Sequence, residues 1–162
     1  QRILDLARGE YLHQKMPILL VGNPGLGKTH VATGLAAAAC RQGYRVRFYN
    51  AAALVNELLL AQEQHRLPKF LATALKHNLI VLDELGFIPF SATGAQLMFQ
   101  FCSTLHERVA LIVTTNLPFK DWGKLFNNTA AASAIADRLV HKGLLIRITG
   151  KSRRSDKEVG AE

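Results

Sequence analysis

The stretch that decides the fold of this chain is Ile18-Leu19-Leu20-Val21, followed by Gly22-Asn23-Pro24-Gly25-Leu26-Gly27-Lys28-Thr29. The first four residues are an apolar run that predicts a buried strand. The next eight fit the pattern G-x-x-x-x-G-K-[ST] without a mismatch. Val31, Leu35 and Ala38 then recur at helical spacing. A strand, this loop and a helix in that order predict a phosphate-binding loop, and not a glycine-rich turn without function.

Each part of this loop has a physical task. Glycines let the backbone curl until its N–H groups point at phosphate oxygens. The N-terminus of the following helix adds a partial positive charge. Lys28 is expected to reach the β- and γ-phosphates, and the Thr29 hydroxyl is expected to ligate Mg²⁺. We therefore expect a nucleotide and Mg²⁺ as the ligands of this loop.

Composition sets broad limits on the protein. The chain has 162 residues, 49% of them hydrophobic and 20% charged, which suits one globular domain. No apolar run approaches the ~20 residues of a membrane span. Cys40 and Cys102 lie in apolar helical contexts and are expected to be buried, reduced thiols, which is typical of a cytoplasmic protein. The chain begins with Gln1 and not Met, so we expect a fragment of a longer protein.

The rest of the chain alternates strands with helices. Strands are predicted at 18–21, 45–49, 79–82, 109–113 and 144–148, and helices at 2–14, 28–43, 51–64, 68–76, 93–107 and 130–139. This alternation predicts an α/β fold, in which a mainly parallel five-stranded sheet lies between two helical layers. Strand 45–49 should lie near an edge, with Arg45, Arg47 and Tyr49 on one face and Val46 and Phe48 on the other.

Polar side chains follow two of the buried strands. Asp83 and Glu84 come after Leu79–Leu82, and Asn116 follows the strand at 109–113. Ligands bind at the carboxyl ends of parallel strands, so these residues should meet the phosphate loop. Asp83 is expected to hold Mg²⁺ or one of its waters, Glu84 to polarise the attacking water, and Asn116 to orient it. An Asx turn before Pro118 would also explain Asn116.

Hydrolysis at such a site commonly needs one more cation on the transition state, from the same chain or from another. Arg138, on the predicted helix before the last strand, is the candidate. From the pattern alone, an ion pair with an acid of its own helix is the simpler explanation.

Taken together, these residues resemble the AAA+ ATPases, in particular the IstB/DnaC-like group. The matching strings include Leu82-Asp83-Glu84-Leu85-Gly86, Thr114-Thr115-Asn116-Leu117-Pro118-Phe119 and Ala136-Asp137-Arg138-Leu139. The second string and the Asp-Glu-Leu-Gly string are most similar to the transposition-helper branch. The resemblance covers about residues 18–155.

The resemblance implies a P-loop NTPase fold and an AAA+ core at 1–150 without an evident lid domain. The composition turns polar from Gly150 onward, which predicts a polar basic tail at 151–162. The resemblance also implies that residues 22–29 with His30 bind ATP, that Asp83 and Glu84 form the Walker B motif, and that Asn116 is sensor 1. Arg138 would be an arginine finger that reaches the nucleotide of a neighbouring copy, so a homo-oligomer with shared sites is expected. The family's amino-terminal region that binds DNA or a partner has no counterpart here.

The chain departs from the family pattern at three points. Leu26 and Asn23 replace a Thr and a frequent Pro in the loop, but neither position supplies a required side chain. The family's closing Gly-x-Ser-Tyr-Arg corresponds to Gly150-Lys151-Ser152-Arg153-Arg154, which leaves the role of Arg154 open.

The formal net charge of +8 and the pI of about 9.9 favour a polyanionic partner, although a solvated basic surface would explain them too. The family resemblance implies that the helices at about 51–77 touch DNA. Candidate phosphate contacts are His65, Arg66, Lys69, Lys76, Lys151, Arg153 and Arg154. No aromatic residues are interleaved with these cations, which favours sequence-independent contact with the DNA backbone.

Four functions remain open on the sequence. The first is an ATPase that acts on DNA and assists a transposase in insertion-sequence transposition. The second is a DnaC-like loader of a replicative helicase, with the same ATPase core. The third is a small-molecule P-loop kinase, which the acidic pair, Asn116 and the lack of an Arg-rich lid disfavour. The fourth is a nucleotide-bound adaptor that never hydrolyses ATP.

Overall fold

The computed structural model describes residues 2–86, 89–126, 129–141 and 143–149. The described chain contains one five-stranded sheet in the order β2-β3-β4-β1-β5. Its strands are β1 (Ile18–Val21), β2 (Val46–Asn50), β3 (Leu79–Leu85), β4 (Ala110–Thr115) and β5 (Leu144–Arg147). Every neighbouring pair is parallel, which confirms the sheet predicted from the sequence.

The helices lie on the two faces of this sheet. Those in the described residues are α1 (Arg2–Leu6), α2 (Glu10–Gln14), α3 (Lys28–Arg41), α4 (Ala51–Glu63), α5 (Leu67–Ala74), α6 (Ala92–Leu105), α7 (Trp122–Leu125) and α8 (Thr129–His141). A 3-10 turn, Phe119–Asp121, precedes α7. The cores on the two faces contain side chains of α1 to α3 on one side and of α4 to α8 on the other.

The buried strands supply side chains to both cores. In β1, Ile18 and Leu20 pack on the α1–α3 side and Leu19 packs on the α4–α8 side, and all three are fully buried. Successive side chains of a strand point to opposite faces, so a strand covered on both sides reads as a continuous apolar run. The three-layer αβα sandwich is confirmed.

Two local expectations were wrong. The helix expected at 2–14 is two short helices, because Gly9 adopts a left-handed φ of 88° between them. Cys40 is exposed, not buried.

Strand β2 lies at the edge of the sheet, as predicted. Val46 packs on the α1–α3 side and Tyr49 packs on the α4–α8 side, so the two predicted faces are observed. Tyr49 is buried and contacts Phe101 edge-on, whereas Phe48 is 40% exposed.

Strand β3 is longer than the apolar run that predicted it, and it contains an irregularity. Leu82 pairs with Val113, but Leu85 pairs with Thr115, so three steps along β3 match two along β4. This bulge adds one residue to β3, and it falls at Asp83 and Glu84. Bulges redirect side chains at the edge of a sheet, and here the redirected residues are the predicted acidic pair.

Candidate active site

The strand order brings the predicted site residues to one edge of the sheet. The loop after β1 lies beside the end of β4, and β4 lies beside the end of β3. These segments enclose a cleft of about 510 Å³, a size that suits a small ligand. The cleft is lined by Pro24, Gly25, Gly27, Lys28, Thr29, His30, Thr33, Glu84, Thr114 and Thr115. Of the expected nucleotide-binding residues, Gly22, Asn23 and Leu26 do not line it.

The loop backbone requires glycine for two different reasons. Gly25 and Gly27 have φ of 83° and 89°, a left-handed conformation that other residues rarely adopt. A Cβ on Gly22 would lie 2.5 Å from the carbonyl oxygen of Ile148, so glycine there lets the chain after β5 approach the loop. Helix α3 begins at Lys28, which directs its N-terminus, with its partial positive charge, at the loop.

Lys28 rests on the loop itself. Its Nζ donates hydrogen bonds to the carbonyl oxygens of Gly22, at 2.6 Å, and Asn23, at 2.8 Å, and the residue is only 7% exposed. Burial lowers the pKa of the Lys28 ammonium, and the nearby carboxylates of Asp83 and Glu84 offset part of that effect. A phosphate would give this buried cation a full counter-charge in place of two carbonyl dipoles.

Thr29 and Asp83 are joined across the cleft. The Thr29 hydroxyl donates to Asp83 Oδ1 at 2.9 Å, and Oδ2 lies at 3.1 Å. Asp83 is buried, and its Oδ1 also accepts a hydrogen bond of 2.5 Å from the Thr114 hydroxyl. The two residues expected to hold Mg²⁺ thus already share a contact.

The backbone of Glu84 has a φ of 60°, which is uncommon for a residue with a side chain and occurs here at the bulge. Its N–H donates to Thr114 Oγ1 at 2.8 Å. Its Oε2 accepts a hydrogen bond of 3.0 Å from the Asn50 amide, and the side chain lines the cleft. Strained backbone of this kind concentrates at functional sites, where surrounding contacts hold it.

Asn116 follows the end of β4. Its Oδ1 is buried, and within the described residues it has no hydrogen-bond partner. An unpaired buried acceptor is unfavourable unless a donor such as a water occupies the site. Thr115, which precedes it, donates to the carbonyl oxygen of Leu85 at 2.6 Å and accepts from the Leu117 N–H at 3.1 Å.

The donor set fits Mg²⁺ bound together with a nucleotide. Within the described residues, no group of three or more His, Cys, Asp or Glu side chains is arranged to hold a metal by itself. Mg²⁺ in nucleotide sites typically takes one or two protein oxygens, with phosphates and waters completing its octahedron. The Thr29 hydroxyl and the Asp83 carboxylate match that requirement.

Arg138 lies near the amino ends of the strands, opposite the end at which the phosphate loop lies. It lines a cavity with Lys15 and Pro17, which precede β1, whereas the phosphate loop follows β1. Strand β1 has four residues and so is about 13 Å long. The guanidinium donates to the Ser103 hydroxyl and stacks 5.5 Å from the ring centre of Phe99. Arg138 is therefore separated from the phosphate loop of its own chain.

The same cavity is lined by Cys102. Burial raises the pKa of its thiol to about 12, and the charge of Arg138 offsets only part of that rise, although the residue as a whole is half-buried. Cys102 is a free thiol, and it is half-buried where the sequence predicted full burial.

The candidate DNA-binding cations in the described chain are exposed. His65 and Arg66 lie in the turn between α4 and α5, Lys69 lies in α5, and Lys76 follows it. Arg66 and Lys69 line one groove of about 320 Å³ with Phe70. The remaining candidates, Lys151, Arg153 and Arg154, lie outside the described residues.

Sequence reasoning missed two members of this site. Asn50 ends β2 and contacts Glu84, and Thr114 contacts both Asp83 and Glu84. The rule that identified Asp83, that strand ends meet at one edge, would also have identified Asn50 once β2 was placed beside β3. Thr114 directly follows the strand predicted at 109–113, so the same rule applies to it, but its two bonds to Asp83 and Glu84 depend on the register between β3 and β4.

A family model for IstB-like ATP-binding proteins matches residues 1–161. The chain belongs to that family. The match confirms the resemblance to IstB-type AAA+ proteins, so the chain is an ATP-binding AAA+ protein with a P-loop.

Curated relatives carry names from insertion sequences. The chain is 32% identical over 154 residues to the ATP-binding protein of insertion sequence IS5376 from Geobacillus stearothermophilus, covering 95% of this chain and 61% of that protein. It is 34% identical to the corresponding proteins of IS232 from Bacillus thuringiensis and IS21 from Pseudomonas aeruginosa, covering 95% and 94% of this chain and 62% and 57% of theirs. The chain thus spans about three-fifths of the length of these relatives.

Solved structures share the fold. The crystal structure of the DnaC helicase loader aligns with a TM-score of 0.78 at 22% identity, covering 91% of this chain and 86% of that chain. The replication initiator DnaA bound to AMPPCP and single-stranded DNA aligns with a TM-score of 0.74 at 19% identity, covering all of this chain and 52% of that one. None of the helices in the described part of the chain is long and apolar enough to cross a membrane.

Proposed function

We propose that this chain is the ATP-hydrolysing core of an AAA+ protein that acts on DNA and assists a transposase in insertion-sequence transposition. The observation that carries hydrolysis is the bulge at the end of β3. There, Asp83 meets Thr29 of the phosphate loop at 2.9 Å, and Glu84 lines the same cleft. A site for binding alone would not need a second, strained carboxylate facing the phosphates.

Phosphoryl transfer requires mainly positioning and charge stabilisation, and the residues of this site supply both. Thr29 and Asp83 would hold Mg²⁺, which would supply positive charge to offset the negative charge of the phosphates. Lys28 leaves the carbonyl oxygens of Gly22 and Asn23 and donates to the β- and γ-phosphates. The N-terminus of α3 adds its partial positive charge.

Glu84 and Asn116 act on the attacking water. The water oxygen bonds to the γ-phosphorus while the bond from that phosphorus to the β–γ bridging oxygen breaks, so that ADP leaves, and the Glu84 carboxylate accepts a proton of the water. The Asn116 oxygen accepts a hydrogen bond that orients the same water. Both roles need acceptors at the rim of the cleft. Glu84 lines the cleft, and the buried Asn116 Oδ1 has an unused lone pair within the described residues.

Steady-state phosphate release from ATP and Mg²⁺ tests the activity. We expect Glu84→Gln to lower the rate by about 10²–10⁴-fold, the range for losing a general base. ATP affinity should stay close to that of the original chain, because the amide keeps the size of the side chain. Equal hydrolysis by the two proteins would remove Glu84 from the mechanism. No hydrolysis by the original chain, with ATP still bound, would favour a nucleotide-bound adaptor.

We further propose that copies of this chain assemble with shared ATP sites and that Arg138 serves a neighbour's nucleotide. Its position beyond the amino end of β1 supports this, because it is too far from its own Lys28 to contact the same phosphate. In the described part of the chain, the guanidinium contacts the Ser103 hydroxyl and the Phe99 ring, neither of which carries a charge. A phosphate would therefore be a stronger partner than either of these two groups.

DNA is the proposed polyanion. The net charge of +8 and the exposed cations around α5 support contact with the DNA backbone. We expect Arg66→Ala with Lys69→Ala to weaken binding to a random duplex and to reduce the slope of log affinity against log salt by about 2, roughly one per lost phosphate contact. An unchanged slope would argue against this surface. Lys15→Ala with Arg41→Ala, at other exposed positions, is the matched control.

The transposase partner rests on the insertion-sequence names of the relatives at 32–34% identity. The alternative is a replicative helicase, as for the DnaC loader whose fold the chain shares. A pull-down with a transposase and with a replicative helicase in parallel separates them. Capture of the helicase alone would replace the transposase proposal.

A further inference from the structure

We propose that Thr114 is a positioning residue that holds Asp83 and Glu84 in the arrangement that binds Mg²⁺ together with a nucleotide. Its hydroxyl holds the Asp83 carboxylate and the bulged Glu84 backbone in one arrangement. This inference rests on the proposed function, because it concerns the same site.

The Thr114 hydroxyl makes two bonds with opposite roles. It accepts from the Glu84 N–H at 2.8 Å and donates to Asp83 Oδ1 at 2.5 Å. Thr114 is 1% exposed, so water has little access to replace either bond. A hydroxyl can donate one hydrogen bond while it accepts another, and this position uses one bond of each kind. Valine has nearly the same shape but can make neither bond.

The bulge explains why the Glu84 N–H needs this partner. An extra residue in a strand leaves the ladder of hydrogen bonds locally unpaired, and Glu84 adopts its φ of 60° at that point. The Thr114 side chain supplies the acceptor that the neighbouring strand does not supply there. Without it, an unpaired N–H would favour return of Glu84 to the ladder, which would turn its carboxylate away from the cleft.

Asp83 depends on Thr114 in a second way. In this structure both Thr29 and Thr114 donate to Asp83 Oδ1. Thr29 is exposed at the cleft and is the residue expected to turn its oxygen toward Mg²⁺. Thr114 lies in the interior strand β4 and has no such alternative. Once Thr29 has turned, Thr114 is the hydroxyl that keeps the Asp83 carboxylate in its orientation.

The adjacent threonine shows that this role is specific. Thr115 is as buried as Thr114, but its hydroxyl bonds the Leu85 carbonyl and the Leu117 N–H. It ties the ends of β3 and β4 together and makes no bond to either acid within the described residues. Two like side chains in sequence therefore have different partners.

The test measures affinity for a fluorescent ATP analogue with and without Mg²⁺, and the dependence of phosphate release on Mg²⁺ concentration. For Thr114→Val we expect the Mg²⁺-dependent gain in affinity or activity to fall by about 10–100-fold, the range for losing a partner of a metal ligand. Affinity without Mg²⁺ should be nearly unchanged. Thr114→Ser keeps the hydroxyl and should restore most of the Mg²⁺ dependence.

The control is Thr104→Val, which removes a hydroxyl that donates to the Gln100 carbonyl at 2.8 Å on α6 and should leave both measurements unchanged. Equal Mg²⁺ dependence of Thr114→Val and the original chain overturns the proposal, and so does an equal loss of affinity with and without Mg²⁺. If the valine variant does not fold, the serine variant decides: weakened Mg²⁺ dependence in a folded Thr114→Ser protein overturns it.

The two proposals fail separately. A chain that binds ATP with Mg²⁺ but never releases phosphate would overturn the proposed hydrolysis. The affinity comparison would then still decide the role of Thr114.

Discussion

The side chain of Asn50 joins the start of α4 to the acid at the end of β3. Its Nδ2 donates to Glu84 Oε2 at 3.0 Å, and its Oδ1 accepts from the Ala53 N–H at 3.2 Å as the N-cap of the helix. One amide thus connects the proposed general base to the helices that carry the candidate DNA contacts. A mutation of Asn50 can keep the cap of α4 and remove the hydrogen bond to Glu84.

Asn50→Asp should change catalysis without changing stability. Aspartate caps a helix as well as asparagine, so the free energy of unfolding should stay within about 0.5 kcal/mol. The donor to Glu84 is replaced by a second carboxylate, which repels it from its position. We expect kcat for phosphate release to fall by about tenfold, since small displacements of a reacting group are costly.

Asn78→Asp is the matched control for this variant. Asn78 Oδ1 accepts from the Arg45 N–H at 2.8 Å, at the opposite end of the β2–β3 pair, so the same exchange keeps its bond. If both aspartate variants kept the original kcat, the contact between Asn50 and Glu84 would have no catalytic role.

Lys28→Met should weaken nucleotide binding and change how the stability of the protein depends on pH. We expect ATP affinity to fall by about 10–100-fold, because hydrogen bonds to a charged partner are lost.

Burial lowers the pKa of Lys28 in the folded chain. Between that lowered pKa and the ordinary lysine pKa of about 10.4, the unfolded chain therefore holds more protons than the folded chain. The contribution of Lys28 to the free energy of unfolding therefore rises with pH between these two pKa values.

Urea unfolding at a series of pH values between about 7 and 10.5 measures this effect as the difference between the original chain and Lys28→Met. The difference should grow in favour of the lysine chain as the pH rises. A difference that is flat across the window would contradict the burial of the ammonium.

Arg138→Ala should lower hydrolysis in a way that another subunit can repair. An arginine finger contributes about 10³–10⁵-fold to related phosphoryl transfers, so activity of the variant alone should be strongly reduced. Adding the Glu84→Gln protein, which is itself strongly impaired, should restore part of the activity, because each Glu84→Gln subunit offers Arg138 to a site with an intact Glu84. Phosphate release from mixtures at several ratios measures this rescue.

Arg41→Ala, at an exposed position of α3, serves as the control for loss of a surface arginine. Activity of the original chain should also rise faster than linearly with its concentration. Linear dependence together with no rescue in mixtures would count against a shared site.

Tyr11→Phe should stabilise the protein. The Tyr11 hydroxyl is buried and, within the described residues, has no hydrogen-bond partner, so its removal should raise the free energy of unfolding by about 1 kcal/mol. Burial raises the pKa of this phenol to about 12, above its ordinary value of about 10. The folded chain then keeps a proton that the unfolded chain loses, and stability falls as the pH rises above about 10.

Chemical denaturation at pH 7 and at about pH 11 should therefore show a larger advantage of the phenylalanine variant at the higher pH. Tyr44→Phe is the comparison, because its hydroxyl lies 2.9 Å from His13 Nε2 and its loss should lower stability. A Tyr11→Phe protein less stable than the original would imply a partner for this hydroxyl.

Much of the fold and part of the site could be predicted from local pattern. The loop at 22–29 has a backbone that glycine permits and a cation that phosphate requires, so its residues specify it almost alone. The apolar runs at 18–21 and 79–82 marked buried strands because strands covered on both faces need apolar side chains on both. The edge strand β2 was harder, since which of Phe48 and Tyr49 is covered depends on helices elsewhere in the chain.

The sequence by itself determined the phosphate loop, the acids at Asp83 and Glu84, and the alternation of strands and helices, because each is set by neighbouring residues. Only the tertiary structure decided the strand order, which brings Asp83 and Thr114 beside the loop, places Asn50 against Glu84, and leaves Arg138 at the opposite end of the strands. It also decided the bulge that gives Glu84 its left-handed backbone. The physical reason is that strand pairing, register and hydrogen bonds between distant segments depend on packing over the whole sheet, which no local pattern encodes.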